Sequence, residues 1–193
     1  LVNNMEITGK SDAEMQALVN SGKLDELNNE ELLHVATLIE DNAVKAKVLE
    51  YAAKKYDDSR AYTNLGAAYL QMGDADKALA ALEYAEKMIP AYNVPYDWQN
   101  GAVQMAEAYY QLGETAKADE IMKALADKAV EYLTWYLSLD DNRFMISTRE
   151  FEYHWAVLDA EVKAMKKYNS KLAEIYEPKV EELYNMYVDR MKE

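Results

Sequence analysis

Apolar side chains recur every three or four residues along most of the chain, the spacing that gathers them on one face of an α-helix. The pattern is sharpest from Ser59 to Tyr92, SRAYTNLGAAYLQMGDADKALAALEYAEKMIPAY. Tyr62, Leu65, Gly66 and Tyr69 share one face. Gly73 ends that helix, and Asp74 can cap the next. Ala78, Leu82 and Ala85 mark a second apolar face, and Pro90 stops it. Large and small residues alternate, so two antiparallel helices can close on each other, with Gly66 and Ala78 at the close approach.

Before this stretch the pattern is looser. Leu1 to Lys10 has no clear period and reads as a frayed arm. Ser11 predicts the cap of a short helix ending near Asn20, closed by Ser21-Gly22. Asn28 or Asn29 caps NEELLHVATLIED, whose Leu32, Leu33, Ala36 and Ile39 form an apolar stripe. Asp41-Asn42 breaks the chain and caps AVKAKVLEYAAKKY. Leu49-Glu50-Tyr51-Ala52 recurs as Leu82-Glu83-Tyr84-Ala85, so this pair is a degenerate copy of the central one.

After it, Pro90 and Pro95 bracket an extended connector. Tyr109, Gly113 and Ala118 then echo Tyr69, Gly73 and Ala78. This copy has Met105-Ala106 in place of Leu-Gly and no terminal Pro, so its second helix can run on through Ala129, Tyr132 and Trp135 to about Ser138. Leu139 to Asn142 is the next break. One long pattern, FMISTREFEYHWAVLDAEVKAMKKY, puts Phe151, Trp155, Leu158, Val162 and Met165 on one face. Asn169-Ser170 separates it from a last helix, in which Pro178 predicts a kink or a short break.

The central unit resembles the tetratricopeptide repeat (TPR), whose pattern is matched in order by Tyr62, Leu65-Gly66, Tyr69, Ala78, Leu82, Ala85 and Pro90. The resemblance implies an all-α, TPR-like, right-handed solenoid of helical hairpins, ending in a long kinked C-terminal helix pair. Residues 1–93 would be N-terminal TPR-like repeats. Residues 94–193 would be a C-terminal TPR-like pair plus a long helical hairpin, packed with them as one continuous solenoid. The first helix of each pair would line a concave groove, through Arg60, Thr63, Asn64, Ala67 and Leu70, then Asn100, Val103, Gln104, Glu107 and Tyr110. Such a groove can take an extended or helical peptide. The bland alternative is that the C-terminal helices fill it. The TPR clamp for acidic C-terminal peptides uses Lys and Asn at several of these positions. Here Asn64 alone is suggestive, while Thr63 and Ala67 depart from the clamp, so that activity is not carried over.

The two halves also resemble different families. Residues 12–90, through NNEELLHVATLIEDNAVKAKVLEYAAKKY and the repeat after it, look like the TPR segment of bacterial outer-membrane-protein-A-like envelope proteins. Residues 91–193, through YNVPYDWQNGAVQMAEAYYQLGETAKADEIM and EYLTWYLSLDD, are similar to the soluble tail of a polytopic bacterial membrane-protein family of uncharacterised function. Together these imply an engineered fusion through a shared helix, Asp74 to Ile89, and an extracytoplasmic setting for both parents. The rival reading is a natural extracytoplasmic adaptor that binds a peptide or protein in its groove.

Composition narrows the function further. Six Gly and three Pro in 193 residues favour an all-α chain. Sixteen Tyr against two Phe suit half-buried helix faces, since Tyr joins an apolar ring to a polar tip. A formal charge of −14 argues against nucleic acid and against anionic membrane surfaces, both of which recruit Lys and Arg. Cysteine is absent, which removes disulfides, thiolate metal sites and Cys nucleophiles. No apolar run approaches the roughly 20 residues that span a bilayer. The start, LVNNMEITG, has neither an initiator Met nor a signal-peptide core, and reads as a fragment, a mature form or an engineered piece.

Candidate chemistry is sparse. Glu31 and His34 have the Glu-x-x-His spacing of di-iron bundles, but such a site needs a second copy and two more Glu. They read instead as a pair on a helix surface. Glu150 and His154, four residues apart, can pair beside Trp155 and line a pocket, or simply pack. No HExxH, P-loop, GxGxxG or GxSxG occurs. The reading is a non-catalytic scaffold with no metal and no cofactor.

Overall fold

The computed structural model describes residues 9–88 and 99–192. These hold ten α-helices and one 3-10 turn among the described residues. The chain divides into two units, Leu1–Tyr92 and Asn93–Glu193, each a run of antiparallel helical hairpins. This is an all-α, TPR-like hairpin array.

In the first unit, α1 (Asp12–Asn20) leads through a 3-10 turn (Leu24–Glu26) to α2 (Asn29–Leu38), α3 (Asn42–Tyr56), α4 (Ser59–Gln71) and α5 (Ala75–Lys87). Each start is written in a polar side chain that satisfies a free backbone N–H. Ser11 accepts from the Glu14 amide, and Asp41 from those of Ala43 and Val44. Asn28, rather than Asn29, caps α2, in a reciprocal capping box with Glu31. Asp74 caps α5 through the Lys77 amide. Gly73 closes α4 at φ +75°, a conformation costly for any residue with a Cβ. The Pro90–Pro95 connector, Ile89 and most of the N-terminal arm lie outside the described residues.

The α4–α5 hairpin closes on the predicted apolar faces, but Leu82 rather than Ala78 makes the tight contact with Gly66. Leu65, Gly66, Ala78, Leu82 and Ala85 are all buried. The close approach is between Gly66 and Leu82: a Cβ on Gly66 would stand 2.6 Å from both Cγ and Cδ2 of Leu82. Leu82 is fully enclosed and has nowhere to retreat. The α2–α3 hairpin joins this core through Leu32, Val35, Val48, Leu49 and Ala52, all at 1% exposure or less.

A polar bracket fastens α2 to the start of α4. Asp58 caps α4, accepts from the Arg60 amide at 2.8 Å, and receives the Arg60 guanidinium and the Asn29 side-chain amide. Arg60 reaches on to Glu30 of α2 at 2.6 Å. The Arg60 hydrogen bond is the main reason that the Asp58 carboxyl is held down at about 2.

The second unit contains α6 (Gln99–Gln111), α7 (Thr115–Leu137), α8 (Asp141–Ile146), α9 (Thr148–Lys167) and α10 (Leu172–Met191). Without a terminal Pro, α7 runs to Leu137, as the pattern predicts. The long pattern after Asp140 is in fact two helices, because Ser147 leaves helical geometry (φ −107°, ψ 10°) and its hydroxyl turns back to the Arg143 carbonyl. Around Pro178, α10 runs from Leu172 to Met191 without the short break. Proline there removes one backbone donor, and an exposed position less than two turns into the helix accommodates the loss. Asn169, at φ 57°, turns the chain between α9 and α10.

Arg190 forms a clasp that no local pattern announces. From the end of α10 its guanidinium donates to the Leu137 and Leu139 carbonyls at 2.7 and 3.1 Å and to the Asp141 carboxylate at 3.0 Å. It lies 4.2 Å from the centre of the Phe144 ring. It satisfies carbonyls at the C-terminus of α7, where positive charge is favoured.

Two predictions follow from these contacts. Gly66→Leu forces bulk onto Leu82 and costs about 1–3 kcal/mol or more, with partial recovery in the double variant that also carries Leu82→Ala. Thermal unfolding checks it, and a melting temperature equal to the parent's would rule out the close approach. For Asp58 the folded pKa lies below its ordinary 3.8, so its contribution is present above about pH 3.8 and disappears as pH falls through about 2. Asp58→Asn, which keeps the cap, therefore lowers stability at pH 7 by about 1 kcal/mol and has little effect at pH 2, read by urea unfolding at both pH values.

Candidate functional site

The ten groove positions predicted from the repeat separate into two environments. On α4, Arg60 is exposed but engaged by Asp58 and Glu30. The Thr63 hydroxyl donates to the Ser59 carbonyl at 2.8 Å. Leu70 is buried in the helix packing. Asn64 and Ala67 face a crevice of about 330 Å³ between α2, α3 and α4.

The floor of this crevice is apolar: Leu33 and Ala36 from α2, Leu49 from α3, Ala67 and Ala68 from α4. Its rim is uncharged and polar on most sides, with Thr37, Asn42, Asn64 and Gln71, and carries one cation, Lys45. An apolar floor with a few polar groups at the edge is the usual make-up of a site that takes a side chain of a partner. The repeat copies differ in an informative way here. The copy offset that aligns Leu49 with Leu82 aligns Lys45 with Ala78. Ala78 is fully enclosed. A lysine at the equivalent place keeps its head toward water and lays its stem along the crevice wall. Sequence reasoning placed Asn64 and Ala67 but missed Lys45, Asn42 and Gln71. Lys45 was detectable as a departure from the small residue expected there.

The α6 positions are differently placed. Asn100 is exposed. Val103 packs against the core of the second unit, and Tyr110 is part of that core, at 7% exposure. Tyr110 stacks on Tyr168 with ring centres 5.1 Å apart, and its hydroxyl donates to Asp119 at 2.6 Å. Burial, with Asp119 adding to it, pushes the Tyr110 hydroxyl up to about 12. Burial also raises the Glu107 carboxyl, against the opposing charge of Lys167. The side-chain oxygen of Gln104 is buried without a hydrogen-bond partner. The turn between the last two helices thus covers the end of this face.

Tyrosine–carboxylate bonds tie the last hairpin down. Asp119 accepts from Tyr110 and from Ser170, both at 2.6 Å. Tyr176 donates to Asp127, and Tyr187 donates to Glu152 at 2.8 Å. The Trp155 indole donates to the Val180 carbonyl at 2.8 Å. Each tyrosine bond runs from a buried donor to a charged acceptor nearer the surface, Asp127 and Glu152 being exposed, and bonds to charged groups are the stronger class.

The two histidine motifs have structural surroundings. Glu31 serves the α2 capping box and meets Lys10 at 3.3 Å. His34 reaches Asp12 at 2.8 Å. His154 stacks on Tyr132 at 5.2 Å and Tyr136 at 5.8 Å, and burial lowers its pKa while Glu150 opposes the shift. No group of three or more His, Asp and Glu among the described residues is placed to hold a metal ion. Among these residues no helix is long and apolar enough to cross a membrane.

Comparison with known families identifies residues 59–92 as a tetratricopeptide repeat. The match covers α4 and α5, the hairpin closed at Gly66. No catalytic family is found. Searches of curated proteins and of solved structures return no match. No finding supports either parent family that the two halves resemble, or a fusion between them.

The role of the tyrosine bonds is directly measurable. Tyr176→Phe removes the buried donor to Asp127, which keeps Lys123 and water, and costs about 1 kcal/mol. Tyr184→Phe, at a position 45% exposed, changes stability by no more than about 0.5 kcal/mol. Urea unfolding of both variants tests this, and equal costs would show that the Tyr176–Asp127 bond contributes nothing special.

Proposed function

We propose that this chain is a non-catalytic interaction scaffold that holds a segment of a protein partner in the crevice of its first unit. The observation that carries the reading is the open, apolar-floored crevice between α2, α3 and α4, bordered by Asn64 and Ala67 on the helix that opens the TPR repeat. TPR hairpins present such surfaces for protein binding, and helical-repeat folds commonly act as interaction modules. The partner would seat one apolar side chain on Leu33, Ala36 and Leu49, and the side-chain amides of Asn64 and Gln71 would bond its backbone. Of the ten predicted groove residues, Asn64 and Ala67 are the contacts on which this reading depends. Arg60 and Thr63 would shape the groove edge. The α6 set, Asn100 to Tyr110, is left to the packing of the second unit.

Selection from a random twelve-residue peptide library on the full chain tests the proposal. Enriched peptides are expected to bind, and Ala67→Arg, which fills the crevice, is expected to weaken them at least about tenfold, given the cost of losing a buried anchor. Asn64→Ala should weaken them less. Unchanged binding to the Ala67→Arg protein, with its melting temperature preserved, would sink the reading, as would failure to enrich any peptide.

A further inference from the structure

Among the described residues Glu161 is the one charged residue in the core, at 1% exposure. Both of its carboxylate oxygens are buried without a hydrogen-bond partner. Its direction follows from its neighbours on α9. Residues seven apart lie on nearly the same line of a helix. One step before Glu161 is His154, which stacks on Tyr132 and Tyr136 of α7. One step after it is Tyr168, which stacks on Tyr110 of α6. Glu161 therefore lies on the line by which α9 meets the α6–α7 hairpin.

The groups on that side offer it no donor. At this level α7 contributes Met122, Leu125, Ala126 and Ala129, all buried and apolar. The carboxylates of α7 that bond the last hairpin are already engaged: Asp119 by Tyr110 and Ser170, and the exposed Asp127 by Tyr176 and Lys123. From α10 come Tyr176 and Tyr187, committed to Asp127 and Glu152. From α6, one seven-residue step before Gln111, which donates to Tyr168, stands Gln104, with a buried oxygen that also lacks a partner. Glu107 of α6 is paired in charge with Lys167. On α8, Asp141 is held by Arg190, and Arg143 pairs with Asp140. On α9 itself, Asp159 pairs with Lys163. Burial is the sole cause acting on the Glu161 carboxyl, and it raises it to about 8.

We propose that Glu161 is a proton-operated latch: its protonated carboxyl keeps the α9–α10 hairpin closed over α6 and α7, and loss of that proton drives the hairpin open. The carboxylate has no hydrogen-bond partner and no paired cation in the closed layer, so it gains hydration if α9 moves away from α7. Opening would uncover Tyr110 and Val103, two of the predicted groove residues that the closed hairpin keeps packed. In the open form the hydrated carboxyl returns to its ordinary value near 4.5. Since the closed form has the higher pKa, its stability is fully present below about 4.5 and is lost as pH rises toward 8. The opening constant grows about tenfold per pH unit across that interval and levels off above it.

Hydrogen exchange of the full chain, corrected for the intrinsic pH dependence of the chemistry, reads the opening of α9 and α10 directly. Between pH 6 and 8 the opening constant is expected to rise by about fiftyfold. Ordinary carboxylates have already ionised in this window, burial shifts His154 downward, and the buried tyrosines are shifted upward, away from it. Glu161→Gln and Glu161→Met, which cannot ionise, should both keep the fold by circular dichroism and remove the pH dependence. Glu107→Gln should leave it in place. A flat profile in the parent, a slope that survives in Glu161→Gln, or one abolished by Glu107→Gln, would each overturn the latch.

Discussion

An isolated helical hairpin cannot hide its apolar faces unless its two helices come close, and here that closeness depends on one missing side chain. Leu82 sits where a Cβ on residue 66 would be. With glycine there, the α4 and α5 backbones can approach, and Tyr62 and Tyr69 can flank the contact. The flat, well-packed pair then offers α3 a surface on which the degenerate first hairpin can rest. The crevice beside Asn64 exists because that stacking is imperfect. Where the central repeat has Ala78, the first hairpin has Lys45, on the rim of that crevice.

The second unit solves the same closure problem without a Leu-Gly pair. Met105-Ala106 stand where Leu65-Gly66 would be, and the small residues on α7, Ala118, Ala126 and Ala129, admit the neighbouring helices. The extra length of α7 then needs a cover, which α9 and α10 supply. Their register is set by polar contacts at separate levels: Ser170 on Asp119, Tyr176 on Asp127, and Arg190 on the last carbonyls of α7. Apolar packing is non-directional and tolerates sliding. Buried donors aimed at fixed acceptors do not, because a slip leaves a charged acceptor unpaired. At Tyr110, Tyr176 and Tyr187 the ring fills the layer and the hydroxyl fixes its position.

Most of the fold was legible in the sequence because its determinants are local. Ser11, Asp41 and Asp74 sit directly before apolar stripes, and Gly73 sits directly after one, so helix boundaries could be read from a few adjacent residues. The end of α7 was legible for the opposite reason, the lack of any stop signal before Ser138. What could not be read depends on distant partners. Arg190 caps a helix that ends more than fifty residues earlier. The break at Ser147 lies inside a stripe whose apolar spacing continues across it. The candidate site was half legible. Asn64 and Ala67 came from the repeat register, but Lys45 and Asn42 come from the second helix of the neighbouring copy, whereas the groove was sought on the first helix of each pair.

Glu161 shows where pattern reading stops for a physical reason. The stripe Phe151, Leu158, Val162 and Met165 correctly identifies the inner face of α9. A glutamate adjoining such a stripe ordinarily extends its carboxylate past the edge to water. Here α9 is covered on more than one side, by α7 and by α10, so the apolar surface extends beyond the stripe and encloses the position next to it. A residue that would be peripheral on a two-helix contact becomes interior in a three-helix layer. The charge pattern of the sequence is unchanged by this, but its chemistry is not: the group has lost its solvent and found no donor in exchange. The closure of the last hairpin is thereby coupled to a proton, even though the hairpin itself is held by tyrosine bonds and apolar packing.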